Sequence, residues 1–137
     1  MNVSIGTEAL IAIIVLLAVV LAAGLFKRRP KPLNTEYFQK KWQELQDLCK
    51  EKSTWPLAVI NADKLVDEAL KRRRYRGKTM GERLVSAQRV LTDNDGTWFG
   101  HKLRNRVVHE DIKLKESDVK KALVGLRQAL KDLGALK

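Results

Sequence analysis

The sequence predicts an all-α protein in which an N-terminal transmembrane helix precedes a compact bundle of four to five helices. One uncharged apolar run opens the chain, apolar residues recur beyond it at helical three- and four-residue spacing, and no later segment alternates with the period of a strand. The 137 residues suit one globular domain. The predicted segments are a short N-terminus (1–8), the transmembrane helix (9–26), a basic linker (27–33) and the bundle (34–137).

The uncharged run is ALIAIIVLLAVVLAAGLF, residues 9–26. As a helix it spans about 27 Å, close to a hydrocarbon core of about 30 Å. A cleaved signal peptide would carry positive charge before the run, whereas here the basic residues follow it, and a buried core helix is seldom apolar on every side. We therefore expect a single-pass anchor in the cell membrane, with residues 1–8 outside and the C-terminal domain in the cytoplasm by the positive-inside rule.

The part of the chain beyond the anchor is strongly basic. It holds all 27 Lys and Arg residues and 15 of the 16 acidic residues, which gives a net charge of +12. This excess indicates an anionic partner, either nucleic acid or lipid headgroups, although a solvated face near an anionic membrane leaflet has the same composition. The linker contains Pro30 and Pro32, and its seven residues reach at most about 25 Å, so the domain lies near the membrane surface. The single Cys49 excludes an intrachain disulfide and a cysteine-based zinc cluster.

The first two helices of the bundle have local start signals. The first is predicted to begin near Asn34, a capping residue, and to place Phe38, Trp42, Leu45 and Cys49 on its apolar face, with Cys49 as a small core residue. The second opens at Ser53-Thr54-Trp55-Pro56, where proline suits the first turn. It is expected to end in the basic run KRRRYRGK, residues 71–78, with Gly77 as its terminator.

Three further helices complete the bundle. The third begins with a capping box, Thr79 to Glu82. The segment TDNDGT, residues 92–97, is predicted to be a turn, and a fourth helix to start near Trp98. The fifth starts near Ser117 and ends at Gly134, a capping glycine.

The fourth helix carries the segment LRNRVVHE, in which Arg104, Asn105 and His109 follow one another as Arg-Asn-x-x-x-His. This pattern, within a short helical bundle, resembles the motif of the HEPN superfamily over roughly residues 36–134. The resemblance implies a metal-independent endoribonuclease that needs no cofactor and works as a homodimer with both motifs near the interface. It also allows a non-catalytic interaction module. Many toxin members carry Tyr two residues after the His, where this chain has Asp111.

The resemblance places Arg104, Asn105 and His109 at the motif positions. His109 would be the acid or base at a ribose 2′-OH, giving a 2′,3′-cyclic phosphate and a free 5′-OH. An imidazole exchanges protons near neutral pH, a guanidinium suits phosphate, and a carboxamide can orient the imidazole. Asn105 and His109 share a helix face, but Arg104 and His109 are about 140° apart at about 3.6 residues per turn, so a second subunit would help them converge. Alternatively, Arg104 and Arg106 are solvated and His109 simply ends a helix.

The basic run 71–78 is the densest positive segment of the sequence. It could hold an RNA backbone, with Tyr75 stacked on a base, or contact lipid headgroups. A solvated helix end is the simplest interpretation and needs no function. His101 lies eight residues before His109 with no acidic residue four positions from both, so no metal site is expected. The leading interpretation is a membrane-tethered, HEPN-like endoribonuclease; the alternative is a non-catalytic HEPN-like module that binds nucleotide, protein or anionic lipid. The predicted nucleic-acid contacts are Arg72, Arg73, Arg74, Arg76, Lys78 and Arg106.

Overall fold

The computed structural model describes residues 3–27 and 30–137. The described chain is all-helical, without strands, and it divides into two units between Pro30 and Lys31. The predicted all-α class and the apolar N-terminal helix are therefore confirmed. Residues 1 and 2 of the predicted N-terminus, and Arg28 and Arg29 of the predicted linker, lie outside the described residues.

The first unit is the apolar helix α1, Val3–Lys27. It begins before the apolar run, so most of the predicted N-terminal segment is helical. Within it, Gly6–Phe26 has a mean hydropathy of 3.1, and none of this span is buried against the rest of the described structure. A helix of this length and composition is able to cross a membrane, and a signal sequence has the same properties.

The second unit contains five α-helices and one short 3-10 helix. Lys52–Thr54 is the 3-10 turn that leads into α3. Residues 30–34, which include both linker prolines, lie outside any helix. The α-helices are α2 (Thr35–Leu48), α3 (Trp55–Arg72), α4 (Met80–Ala87), α5 (Asn94–His109) and α6 (Glu116–Asp132).

Side chains cap three of these helices, and two of the three caps are the predicted ones. Asn34 accepts a hydrogen bond from the Tyr37 backbone at the start of α2, and Thr79 and Glu82 form both halves of the capping box of α4. The start of α5 differs from the prediction. Asp93 caps it by accepting from the Gly96 N–H at 2.9 Å, so the helix begins inside the segment predicted to be a turn.

The ends of α3 and α6 have the same hydrogen-bond pattern but different residues. At α6 the predicted Gly134 takes the left-handed conformation. At α3 this residue is Arg74, with φ 62°, and not the predicted Gly77. The Tyr75 N–H reaches back to the Leu70 carbonyl at 3.0 Å, and the Tyr75 ring packs against the core. This apolar contact beyond the cap ends the helix three residues earlier than glycine alone would.

Helix α3 lies at the centre of the second unit, in contact with α2, α4, α5 and α6. Its buried stripe joins two apolar clusters, one around Phe38, Leu70 and Leu130, the other around Val59 and Leu103. Helix α5 packs mainly on α6, and Gly96, Gly100 and Gly125 permit the close approach. This packing fixes the height and rotation of α5, which carries the motif residues.

Candidate functional site

A polar cleft of about 390 Å³ lies where α3, α4 and α5 meet. Its floor comes from α3 and one wall from α5, while the start of α4 forms the rim. Two of the three predicted motif residues, Arg104 and Asn105, belong to it. The residues that line the cleft are Asp63, Lys64, Asp67, Thr79, Met80, Gly81, His101, Arg104 and Asn105.

Asp63 is the buried acid of the cleft. It belongs to the core-facing stripe of α3, and its side chain is only 4% exposed. One carboxylate oxygen lies 3.0 Å from His101 Nδ1, and the other lies 3.5 Å from Arg104 Nε. Burial raises the pKa of Asp63, against the opposing effects of His101 and Arg104. The imidazole of His101 and the guanidinium of Arg104 explain how a carboxylate is accommodated at this depth.

His101 is held from both sides. Nδ1 of His101 lies 3.0 Å from Asp63 Oδ1 and donates to it when this carboxylate is ionised, since an ionised carboxylate only accepts hydrogen bonds. Nε2 lies 3.5 Å from the Asn105 amide nitrogen, which is placed to donate to it. The edge of the Trp98 ring also contacts the imidazole, with ring centroids 5.8 Å apart. An imidazole oriented by a carboxylate, with its second nitrogen at a cleft, has the geometry of a general base.

Arg104 and Asn105 are coupled to each other. Arg104 donates from one terminal nitrogen to the Asn105 side-chain oxygen at 2.9 Å. Its buried Nε has no hydrogen bond to any described residue, and 28% of the side chain is exposed. Among the described residues the terminal nitrogens donate only to Asn105, so they retain donors for an anion that enters the cleft.

His109 does not line this cleft. It is the last residue of α5, is exposed, and its side chain forms no hydrogen bond or ion pair with any other described residue. His109 shares a face of α5 with Asn105 but lies about one turn further along, at the end of the helix, so it is displaced along the axis from the part of α5 that lines the cleft. One subunit thus brings Arg104 and Asn105 together and leaves His109 apart.

The sequence did not identify Asp63 or the role of His101. These residues are 38 positions apart and meet only because α5 packs across α3. A local signal exists for Asp63 alone, since it is an acid within the apolar stripe of α3. Across the described part of the chain, no three His, Cys, Asp or Glu side chains are grouped closely enough to hold a metal ion.

None of the residues predicted to contact nucleic acid lines the cleft. Arg106 is exposed on α5 and lies 3.5 Å from Glu110. Arg73, Arg76 and Lys78 lie on the connection between α3 and α4, Arg73 partly buried and the other two exposed. Arg72 and Arg74 line a separate cavity together with Lys31.

A second basic residue near the cleft was also not anticipated. Arg83 of α4 is buried, with its Nε 2.7 Å from Asp67 Oδ1, and it donates to the Gly77 carbonyl at 2.7 Å. Burial alone would raise the pKa of Asp67, but hydrogen bonds from Arg83 and Lys71 together lower it. This pairing ties the α3–α4 connection to the rim of the cleft.

No protein-family model matches this chain, and neither the curated proteins nor the solved structures contain a significant match to it.

Proposed function

We propose that the protein is a membrane-tethered, HEPN-like endoribonuclease that acts on RNA without a metal. In this proposal α1 is a single-pass anchor with its N-terminus outside, and the bundle lies in the cytoplasm as a homodimer. The observation that carries the proposal is the arrangement on α5. Arg104 and Asn105 are hydrogen-bonded at 2.9 Å beside an open cleft, on the helix that ends at the exposed His109.

The chemistry follows from these three side chains. His109 removes the proton from a ribose 2′-OH, and the 2′ oxygen attacks the adjacent phosphorus. The P–O5′ bond breaks, the 5′ oxygen takes a proton from solvent as it leaves, and His109 afterwards returns its proton to solvent. Arg104 neutralises the phosphate, and Asn105 positions it. The products are a 2′,3′-cyclic phosphate and a free 5′-OH.

The positions of Arg104 and His109 support a site completed by a second subunit. Arg104 is directed to Asp63 and Asn105, whereas His109 lies at the end of the helix. A phosphate bound by Arg104 of one subunit would meet His109 of another across a two-fold axis. We therefore propose a composite site in a dimer.

The decisive test uses the full chain in nanodiscs, incubated with labelled RNA and EDTA. His109→Ala should abolish cleavage, and Val108→Ala, at the exposed neighbouring position, should leave it intact. Loss of cleavage in both variants, or persistence in His109→Ala, contradicts the role of His109. Analytical ultracentrifugation of the same sample tests the dimer.

His101→Ala distinguishes the two imidazoles of α5. If His109 is the base, this variant weakens cleavage only through the position of Asn105, which it contacts. If cleavage disappears in His101→Ala and survives in His109→Ala, proton transfer belongs to the Asp63-linked imidazole of the cleft.

A second candidate is a non-catalytic HEPN-like module that binds an anionic ligand such as a nucleotide. The observation that favours it is that His109 does not line the cleft while Arg104 is already paired with Asp63. This candidate predicts RNA or nucleotide binding that weakens steeply with salt, without cleavage. Arg104→Gln should weaken that binding.

A further inference from the structure

A second cavity, of about 320 Å³, is lined by cations from two separate parts of the sequence. Lys31 comes from the segment before α2, and Arg72 and Arg74 come from the end of α3. None of the described residues that line it is acidic. Its remaining lining residues are Pro32, Leu33 and Asn34.

The fold orients Arg72 towards this cavity from a fixed position. Its guanidinium lies over the Tyr37 ring, 4.7 Å from the centroid, and pairs with Glu68 at 2.5 Å. Arg74 occupies the left-handed position of the turn that ends α3. These contacts place two cations of the α3 end beside the segment that begins at Lys31, although more than 40 residues separate them in the chain.

The position of Lys31 in the chain indicates the ligand. It follows Lys27, the last residue of α1, by only four residues, which reach at most about 14 Å. If α1 crosses the bilayer, the nearest anions are phosphates of the headgroup layer, which is several ångströms thick on each side. The cytoplasmic leaflet also carries anionic lipids that attract juxtamembrane basic residues.

We propose that Lys31, Arg72 and Arg74 form a binding site for the phosphate of an anionic phospholipid headgroup. The inference rests on the anchor in the proposed function and is independent of ribonuclease activity. Such a site would hold the bundle in a defined orientation at the membrane, beyond what a seven-residue linker achieves.

The observations favour lipid over RNA at this cavity. Single-strand binders use aromatic rings on which bases stack. The ring of Tyr75, the aromatic residue of the basic run, packs against the core, and Tyr37 is covered by Arg72. The cavity therefore offers a compact group of cations without a stacking surface, which suits one phosphate group.

The test uses the full chain in nanodiscs of phosphatidylcholine with increasing mole fractions of phosphatidylglycerol. A ligand that binds the native state raises the unfolding midpoint of the bundle, which tryptophan fluorescence follows. Phosphatidylglycerol should raise the midpoint saturably in the wild type. The variant Lys31→Gln/Arg74→Asn removes two cations, and Asn tolerates the left-handed turn. At about 1 kcal/mol per basic residue, the mole fraction of phosphatidylglycerol that gives half of the maximal midpoint shift should rise about thirtyfold.

The matched control is Lys113→Gln/Arg89→Gln, which removes the same charges from exposed positions that do not line this cavity. It should keep the wild-type response. An unchanged wild-type midpoint, or equal losses in both double variants, would overturn the proposal. So would the same shift produced by inorganic phosphate or by an RNA oligonucleotide in pure phosphatidylcholine nanodiscs. Failure of the chain to insert would defeat the anchor itself, whereas absence of RNA cleavage would leave this site unaffected.

Discussion

Replacing Gly125 by alanine should destabilise the bundle by separating the two helices that fix the motif. A Cβ at this position would lie 2.2 Å from the carbonyl carbon and oxygen of Gly96, and 2.7 Å from its Cα. Ordinary contact begins near 3.4 Å. Because the atoms that it meets are backbone, no side-chain rotation relieves the clash, and α6 must move away from α5 by about 1 Å.

The magnitude follows from two opposing effects. Overpacking of a well-packed interior costs about 1–3 kcal/mol, and more where backbone must move. Alanine in a helix interior regains at most about 1 kcal/mol over glycine. We expect a net loss of about 2 kcal/mol or more, which lowers the midpoint by about 8–16 °C for a domain of this size.

Thermal unfolding of the full chain in detergent, followed by tryptophan fluorescence and far-ultraviolet circular dichroism, measures this loss. Gly81→Ala is the matched control, since its Cβ would meet Trp98 at 3.6 Å, an ordinary contact. The control should be as stable as the wild type or more stable. If Gly125→Ala unfolds at the wild-type temperature, or both variants lose equally, the close approach of α5 and α6 does not limit the packing as argued.

Three further predictions concern the rim and floor of the cleft. Arg83→Ala removes the partner of Asp67 at 2.7 Å and should lower the free energy of unfolding by about 3 kcal/mol. This is the lower end of the range for a buried pair, because the Asp67 carboxylate is 18% exposed. A loss below about 1 kcal/mol in urea denaturation contradicts this prediction. Thr79→Ala removes the oxygen that accepts from the Glu82 N–H and should cost about 1 kcal/mol, while Thr79→Ser retains most of the stability. Because burial raises the pKa of Asp63, the folded state binds its proton more tightly, and this group makes stability fall as pH rises from the unfolded pKa to the folded one. Asp63→Asn should remove this pH-dependent fall from urea midpoints measured across acidic pH. A contribution of Asp63 that makes stability rise over this range refutes the assignment.

Much of the fold was predictable because its determinants are local. Apolar spacing located the buried residues of α2, which are Phe38, Trp42 and Leu45. The capping box at Thr79 and the glycine at the end of α6 act within four residues of the chain. The misplaced boundaries also have local causes: Asp93 started α5 early, and Tyr75 ended α3 before Gly77.

The site was predictable only in part. The sequence located Arg104 and Asn105 as neighbours on one helix and indicated, from helical rotation, that Arg104 and His109 of one subunit do not face the same phosphate. It gave His101 little weight, because the carboxylate that orients this imidazole comes from another helix. The cationic cavity was likewise hidden, since Lys31 and Arg74 belong to separate elements.

The sequence by itself determined the apolar helix, the basic bundle and the periodic faces, because each depends on residues three or four positions apart. Only the tertiary structure decided which polar groups meet. The packing of α5 across α3 pairs Asp63 with His101, and the turn after α3 brings Arg74 beside Lys31. The physical reason is that helical periodicity fixes the direction of a side chain on its own helix, whereas its partner depends on the height and rotation at which two helices pack.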